Sequence, residues 1–175
     1  REDYYRRVWK KWYDDKNNII LCDRYVDSNF YYVLPLIKES EQYDYIQNMK
    51  TVEYKLLNLP VPDFTIYLNM PAKLSHNFRA NRIGKTGGDT GDIHEADESY
   101  LEQCNTEGIR YFSNIEWFHF DERCAHVISC FDETNGRLLS EDEIYHKIHK
   151  SVRYFIMDYK KGLRHCSMPF SSLMD

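Results

Sequence analysis

The sequence predicts an α/β protein built around a parallel β-sheet. Three short, largely apolar runs, Ile19–Cys22, Phe64–Leu68 and His126–Cys130, lack the polar–apolar alternation of strands that face water on one side. Such runs indicate buried strands that helices cover on both faces. Helical patterns separate them, and this order is typical of parallel sheets with right-handed crossovers. The 175 residues suffice for a single domain with one hydrophobic core.

The helices are predicted from the spacing of apolar residues and from signals at the helix ends. Between Tyr5 and Trp12, aromatic and aliphatic residues recur three and four positions apart, as on one face of a helix. Ser140 and Glu143 have the spacing of a capping box, which predicts the start of the final helix. The predicted helices cover residues 1–15, 24–58 with an interruption near Pro35, 73–82, 96–112 and 140–154.

The composition is that of a soluble globular protein and excludes several classes. Hydrophobic residues make up 42% of the chain, charged residues 29%, and the net charge is −5. An acidic chain argues against nucleic acid as a partner. No apolar run approaches the ~20 residues that span a bilayer, so no membrane partner is expected. The five cysteines form no CxxC pair, which argues against a zinc site and favours a reduced, cytoplasmic protein.

The first candidate site lies directly after the first predicted strand, in the segment Asp23–Asn29. Ligands of open α/β sheets bind at the carboxyl ends of strands. The guanidinium of Arg24 can grip a phosphate with two parallel N–H groups, and the carboxylate of Asp23 can hold a magnesium ion or its water. The alternative interpretation is an Asp–Arg ion pair that only fixes the loop.

The second candidate site is a glycine-rich segment, residues 84–91, with basic residues beside it. It contains four glycines, and Arg79 and Arg82 precede it, which suits a lid that closes over phosphates. The alternative is an ordinary surface turn. The string Gly84-Lys85-Thr86 is not a phosphate-binding P-loop, because Arg79 occupies the position where that motif requires its first glycine.

Residues 23–29, Asp-Arg-Tyr-Val-Asp-Ser-Asn, closely resemble the Asp-Arg-Tyr-x-x-Ser segment of thymidylate kinases. The preceding residues 9–22 resemble the helix and strand that lead into that segment in the family. Residues 58–68 resemble the family's Gly-Leu-Pro-x-Pro-Asp strand, and residues 92–101 resemble the end of the lid in some bacterial members. The resemblance covers about residues 1–155.

This resemblance implies a three-layer P-loop NTPase fold of the nucleotide-kinase type, with a parallel sheet. The implied reaction is transfer of the γ-phosphoryl group of ATP to dTMP, giving dTDP, with Mg²⁺ as cofactor. Arg24 would bind the 5′-phosphate of dTMP, and Asp23 would place Mg²⁺ through its waters. Arg79 and Arg82 would belong to the lid, about residues 79–95, and meet the transferring phosphoryl group. Cations suit this chemistry, because phosphoryl transfer needs positioning and charge stabilisation.

The resemblance also implies a substrate-binding set and a homodimer. Arg1 falls near the family's thymine-contacting arginine. Ser28 is the serine of the motif, and Asn29 lies where the family places a serine or asparagine near the base. Tyr32 falls where some members place a tyrosine against the deoxyribose. The aromatic first helix is a candidate for the dimer interface.

Two departures from the family pattern leave alternatives open. The chain contains no Gly-x-x-x-x-Gly-Lys-[Ser/Thr], so we expect an incomplete kinase domain that lacks the N-terminal strands and the P-loop and has little or no activity alone. Val33 replaces a glutamine that contacts thymine in many members. The alternatives are a kinase for another nucleotide or a deoxynucleoside, and a non-catalytic relative. The tail, about residues 160–175, has no clear periodicity.

Overall fold

The computed structural model describes residues 1–15, 17–74, 98–113 and 124–161. The chain divides into two compact units, Arg1–Val61 and Pro62–Asp175. In the first unit the described secondary structure is helical, and the second unit contains the described β-strands. The chain is therefore a mixed α/β protein, as the sequence predicts.

The first predicted helix is confirmed, but its predicted apolar face is buried only in part, since Val8 and Trp12 are 42% and 54% exposed. Tyr5, Trp9 and Tyr13 lie one above the other, and their rings meet edge to face with centroids 4.8 Å and 6.2 Å apart. Tyr5 is buried, so this is the packed side of the helix. This helix, α1, comprises Glu2–Tyr4, Tyr5–Trp9 and Lys10–Tyr13, of which the middle segment is a π-helix.

The predicted buried strand Ile19–Cys22 is wrong. These residues have no regular secondary structure, and the side chains of Ile19 and Leu21 are 79% and 95% exposed. A strand needs a neighbour for its backbone N–H and C=O groups. Within the described ranges, the only paired strands belong to the second unit, so the apolar run has no strand beside it.

The helical region predicted for residues 24–58 is confirmed, with its interruption at Pro35. Helix α2, Ser28–Val33, is followed by a 3₁₀ turn, Leu34–Leu36. Helix α3, Glu39–Lys50, continues as a π-helical segment, Thr51–Leu56. Phe30, Leu34 and Ile46 are fully buried and supply the core of this unit.

Two predicted strands of the second unit are confirmed and pair in parallel. Strand β1, Phe64–Asn69, lies beside β2, Cys124–Ser129, in a register that pairs Phe64 with Cys124. Helix α4, Glu98–Ser113, lies between them in the chain, so the connection is of the crossover type that parallel strands require. The burial is less complete than predicted, since Leu68 is 44% exposed.

Two helices cover opposite faces of β1. Phe64 stacks on Phe155 of helix α5, Glu141–Lys160, with ring centroids 4.7 Å apart. Tyr67 stacks on Phe112 of α4 at 5.0 Å. Positions 64 and 67 point to opposite sides of a strand, because side chains alternate. The sheet of this unit is therefore sandwiched between α4 and α5, as an unalternating apolar strand predicts.

The predicted capping box of α5 is confirmed, and a hairpin before it was not predicted. Strands β3, Phe131–Asp132, and β4, Arg137–Leu138, pair in antiparallel fashion ahead of the helix. Ser140 Oγ accepts a hydrogen bond from the Glu143 backbone N–H, and the Glu143 side chain accepts one from the Ser140 N–H. The helix extends past the predicted end at Tyr154 to Lys160.

Some predictions fall outside the described residues. Residues 72–74 are helical, which agrees with the start of the helix predicted for 73–82. The rest of that helix, the glycine-rich loop 84–91 and most of the tail lie beyond the described ranges. Within the described part of the chain, no helix combines the length and the apolar character needed to cross a bilayer.

Candidate functional site

The candidate site begins at a bend formed by Asp23 and Arg24, immediately before α2. Arg24 has φ of 61°, in the left-handed region that side chains other than glycine rarely adopt. Such a conformation costs about 1–3 kcal/mol and is concentrated at functional sites. The backbone thus holds an arginine in a strained position at the residue that the motif singles out.

The side chain of Arg24 rests on Tyr32 of helix α2. Arg24 Nη2 donates to Tyr32 Oη at 3.1 Å, and the guanidinium carbon lies 5.3 Å from the ring centroid. The ring face is a favourable seat for a cation. Arg24 is exposed and forms no ion pair with any carboxylate of the described residues. The ion-paired loop considered from the sequence is therefore not observed there.

Asp23, the residue before Arg24 in the same bend, is also exposed. Among the described residues, no group of three or more histidine, cysteine or acidic side chains comes together as a metal-binding cluster. Magnesium does not require such a cluster, because it commonly keeps several waters and binds through one or two carboxylates together with substrate phosphates. A single exposed carboxylate fits that mode of binding.

Ser28 and Asn29 build the turn that leads into α2. Ser28 Oγ donates to the carbonyl of Tyr25 at 2.7 Å, and the Asn29 N–H donates to the carbonyl of Val26 at 3.0 Å. Both residues are half-buried. The Ser28 hydroxyl therefore holds the backbone between Tyr25 and α2. This hydrogen bond fixes the start of the helix and, with it, the position of Tyr32.

Tyr25 anchors the same bend to the connector before β1. Its hydroxyl donates to the carbonyl of Pro60 at 3.1 Å, and its ring lies edge-on to Trp9 with centroids 6.1 Å apart. Burial raises the pKa of Tyr25 well above its ordinary value. Cys22 and Glu53 add to the increase, and Arg1 opposes it. The phenol stays protonated as a donor, so its bond to Pro60 persists across the neutral range.

Arg1 is paired with Glu53, a residue that the sequence analysis did not identify. The guanidinium contacts both carboxylate oxygens, with Nε 3.5 Å from Oε2, and Glu53 is buried while the Arg1 side chain is 37% exposed. Gln42, Ile46 and Glu53 recur on one face of α3 and its continuation, and all are buried. Two of the three are polar, so hydrophobic periodicity does not reveal the face.

The structure thus brings together part of the predicted set. Arg24 contacts Tyr32. Arg1 is paired with Glu53, and the charges of both residues act on the phenol of Tyr25. Asp23, Ser28 and Asn29 lie in the bend and turn between them. Arg79 and Arg82 fall outside the described residues. Chemically, the bend offers an exposed planar cation and an exposed carboxylate on adjacent residues, groups of the kind that bind a phosphate and its metal ion. No family model, curated protein or solved structure matches this chain.

Proposed function

We propose that this chain binds dTMP as the acceptor part of a thymidylate kinase, in the transfer of the γ-phosphoryl group of ATP to dTMP. The observation that carries the proposal is the contact of the Arg24 side chain with Tyr32. The Arg24 guanidinium is exposed, and the residue lies in a strained bend. The hydroxyl and the ring of Tyr32 orient the guanidinium. The motif Asp23–Asn29 supplies the reason for choosing a nucleotide as the ligand.

The contact with Tyr32 leaves the arginine suited to phosphate recognition. One N–H is donated to the phenol, whereas a guanidinium carries five N–H donors in a rigid fork. Pre-ordering the side chain reduces the entropy that binding must remove. Arg24 would therefore hold the 5′-phosphate of dTMP, with Tyr32 beside the sugar and Arg1, held by Glu53, on the side of the base.

Asp23 would hold Mg²⁺ through water. When bound, the ion neutralises charge on the phosphate oxygens. The carboxylate would fix the ion beside the phosphate that Arg24 holds, and a bidentate guanidinium would prevent that phosphate from rotating. The contribution of these residues to catalysis is thus orientation and electrostatic stabilisation of a negatively charged group.

The residues of this chain do not fit the triphosphate of ATP. The sequence has no Gly-x-x-x-x-Gly-Lys-[Ser/Thr], and Gly84-Lys85-Thr86 follows Arg79 at the position that requires a glycine. Apart from Arg79 and Arg82, which the resemblance places at the transferring phosphoryl group, we assign no ATP-binding role to any residue of this chain. The finer fold assignment, a P-loop nucleotide kinase, belongs to the same proposal and is supported by a parallel sheet with helices on both faces.

Calorimetric titration of the chain with dTMP tests the proposal. We expect binding that weakens about 10- to 100-fold in Arg24→Ala, because hydrogen bonds to charged groups contribute about 1.5–3 kcal/mol. Arg7→Ala is a matched control, since Arg7 is an exposed arginine of the same unit, paired with Asp3 on α1. That variant removes the same charge and should bind dTMP like the wild type.

The choice of ligands separates the acceptor from its rivals. Thymidine lacks the phosphate and should bind weakly to both the wild type and Arg24→Ala. Tighter binding of dCMP or dUMP than of dTMP would instead assign the site to another nucleotide. Equal losses in Arg24→Ala and Arg7→Ala, or no binding of dTMP by the folded chain, would refute the role of Arg24.

A further inference from the structure

We propose that Asn135, at the tip of the β3–β4 hairpin, is a site of spontaneous deamidation. The pair Asn135–Gly136 is the only Asn-Gly sequence in the chain. Residues 133–136 form the exposed turn of the hairpin. Gly136 adopts φ of 60°, and no heavy atom lies within 4 Å of the position that a Cβ would take there. The backbone on the carboxyl side of Asn135 is therefore open and unobstructed.

The reaction needs only water and the chain itself. The backbone nitrogen of Gly136 loses its proton to water or hydroxide and attacks Cγ of Asn135. The bond from Cγ to Nδ2 breaks, and the nitrogen leaves as ammonia after taking a proton from water. Water then opens the resulting succinimide at either carbonyl and produces aspartate or isoaspartate. One water is consumed and one ammonia released, with no change of oxidation state.

Glycine makes this position more reactive than the other exposed asparagines. Any side chain on the following residue crowds the approach of its backbone nitrogen to Cγ, and glycine has none. Asn17 and Asn18 are also exposed, but they precede Asn18 and Ile19. The following residue is thus larger in both cases, and it is β-branched after Asn18. These two positions serve as internal references in the same unmodified chain.

Deamidation would remove one of the hydrogen bonds that close the turn. Asp132 accepts from the backbone N–H groups of Thr134 and Asn135 at 3.0 Å and 3.1 Å, and from Asn135 Nδ2 at 2.6 Å. Deamidation replaces that Nδ2 donor with a carboxylate facing the Asp132 carboxylate. Like charges at such a separation repel, and isoaspartate also lengthens the backbone of the turn. We infer that the modified hairpin opens more readily than the original one.

Peptide mapping by mass spectrometry, after incubation of the folded chain at mildly alkaline pH, tests the site. We expect Asn135 to convert several times faster than Asn17 or Asn18, giving two products of equal mass. Gly136→Ala should slow the conversion, and Asn135→Gln should abolish it because the ring to be closed is larger. Conversion of Asn135 no faster than that of Asn18, or an unchanged rate in Gly136→Ala, would overturn the proposal.

Amide hydrogen exchange tests the structural consequence. Asn135→Asp places the product carboxylate in the turn without incubation, and it should speed the exchange of the backbone amides at positions 134 and 135. Thr134→Ser, a change in the same turn without added charge, is the control. Exchange in Asn135→Asp equal to that in the wild type would show that the turn tolerates the product and would overturn this part of the inference.

Discussion

Arg24 and Tyr32 contact each other in two ways. The guanidinium donates to the phenol oxygen at 3.1 Å, and its carbon lies 5.3 Å from the centroid of the same ring. Tyr32 lies eight residues after Arg24, inside α2, so this helix must be in place before the cation is oriented. The arginine is thus positioned by the helix that follows it rather than by the bend itself.

If Tyr32 orients Arg24, the hydroxyl and the ring of Tyr32 should each contribute to dTMP binding. Tyr32→Phe keeps the ring face and removes the acceptor, whereas Tyr32→Ala removes both. An exposed cation–π contact contributes about 0.5–1 kcal/mol, so Tyr32→Ala should bind dTMP at least about two- to five-fold more weakly than Tyr32→Phe. Tyr43→Phe, on an exposed tyrosine of α3, is the control for calorimetry. Equal affinities in all three variants would contradict the proposed positioning role.

Glu53 should contribute to stability through its ion pair with Arg1. Glu53→Ala removes a buried carboxylate and leaves the guanidinium without its partner, at an expected loss of about 1–3 kcal/mol in the free energy of unfolding. Glu53→Gln keeps an acceptor of the same shape and should lose less. Urea unfolding with an unchanged slope measures the difference. Glu41→Ala, exposed on α3, should change the midpoint little, and a similarly small shift in Glu53→Ala would refute the role assigned to the pair.

Gly108 should not tolerate a side chain. A Cβ there would lie 2.4 Å from Tyr67 Oη, and that ring is held by stacking on Phe112 and by a hydrogen bond to Asn105. Overpacking typically costs about 1–3 kcal/mol, which outweighs the gain of up to about 1 kcal/mol in helix propensity. Gly108→Ala should therefore lower the urea midpoint. Gln103→Ala, on the exposed side of α4, is the control, and a midpoint raised by Gly108→Ala would contradict the close packing.

Glu143 should make stability depend on pH in the acid range. The Arg137 guanidinium, with the Ser140 N–H and hydroxyl, holds the pKa of Glu143 far below its ordinary value. A lowered pKa in the folded state means that the stabilisation is complete above about 4.3, the pKa of an unperturbed glutamate, and is lost as the pH falls toward the folded-state value.

Chemical unfolding between neutral and acid pH measures this effect. The wild type should be more stable than Glu143→Gln at neutral pH. The difference in the free energy of unfolding between the two should decrease as the pH falls below about 4. Glu133→Gln, on the exposed turn of the hairpin, is the matched control. A difference in the free energy of unfolding that is the same at every pH would show that the charge of Glu143 does not stabilise the fold.

The exposed side of α1 should mediate the expected homodimer. Tyr4, Val8 and Trp12 recur at four-residue spacing and are 62%, 42% and 54% exposed. A charge at the centre of this face opposes its burial. If copies associate through it, Val8→Asp should shift the chain from dimer to monomer in analytical ultracentrifugation. Tyr43→Asp, with 44% exposure in the same unit, should leave the dimer intact. A monomeric wild type, or a dimer unaffected by Val8→Asp, would contradict the prediction.

The helices and two of the three predicted strands follow from local patterns because those patterns report burial. Periodic apolar residues locate α1, the capping box locates the start of α5, and unalternating runs locate β1 and β2. The same type of run at Ile19–Cys22 did not form a strand in the described structure. Apolar character expresses a tendency to be buried, whereas a ladder of hydrogen bonds also needs a second strand, which composition does not provide.

Two further features could not be predicted from the sequence: the β3–β4 hairpin and the ion pair of Arg1 with Glu53. Each hairpin strand has two residues, too few to establish a period of two. Arg1 and Glu53 are 52 positions apart, and nothing in the intervening sequence marks them as partners. Long-range electrostatic contacts depend on where helices come to lie, so they become visible only once the chain is folded.

The sequence by itself determined the α/β class, most of the elements, the acidic composition and the Asp23–Asn29 motif, because each is encoded within a few neighbouring residues. Tertiary structure alone decided that Arg1 pairs with Glu53, that Tyr25 donates to the carbonyl of Pro60, and that α4 and α5 lie on opposite faces of β1. The physical reason is that periodicity and capping act over one or two turns, whereas the placement of a functional side chain depends on packing between distant segments.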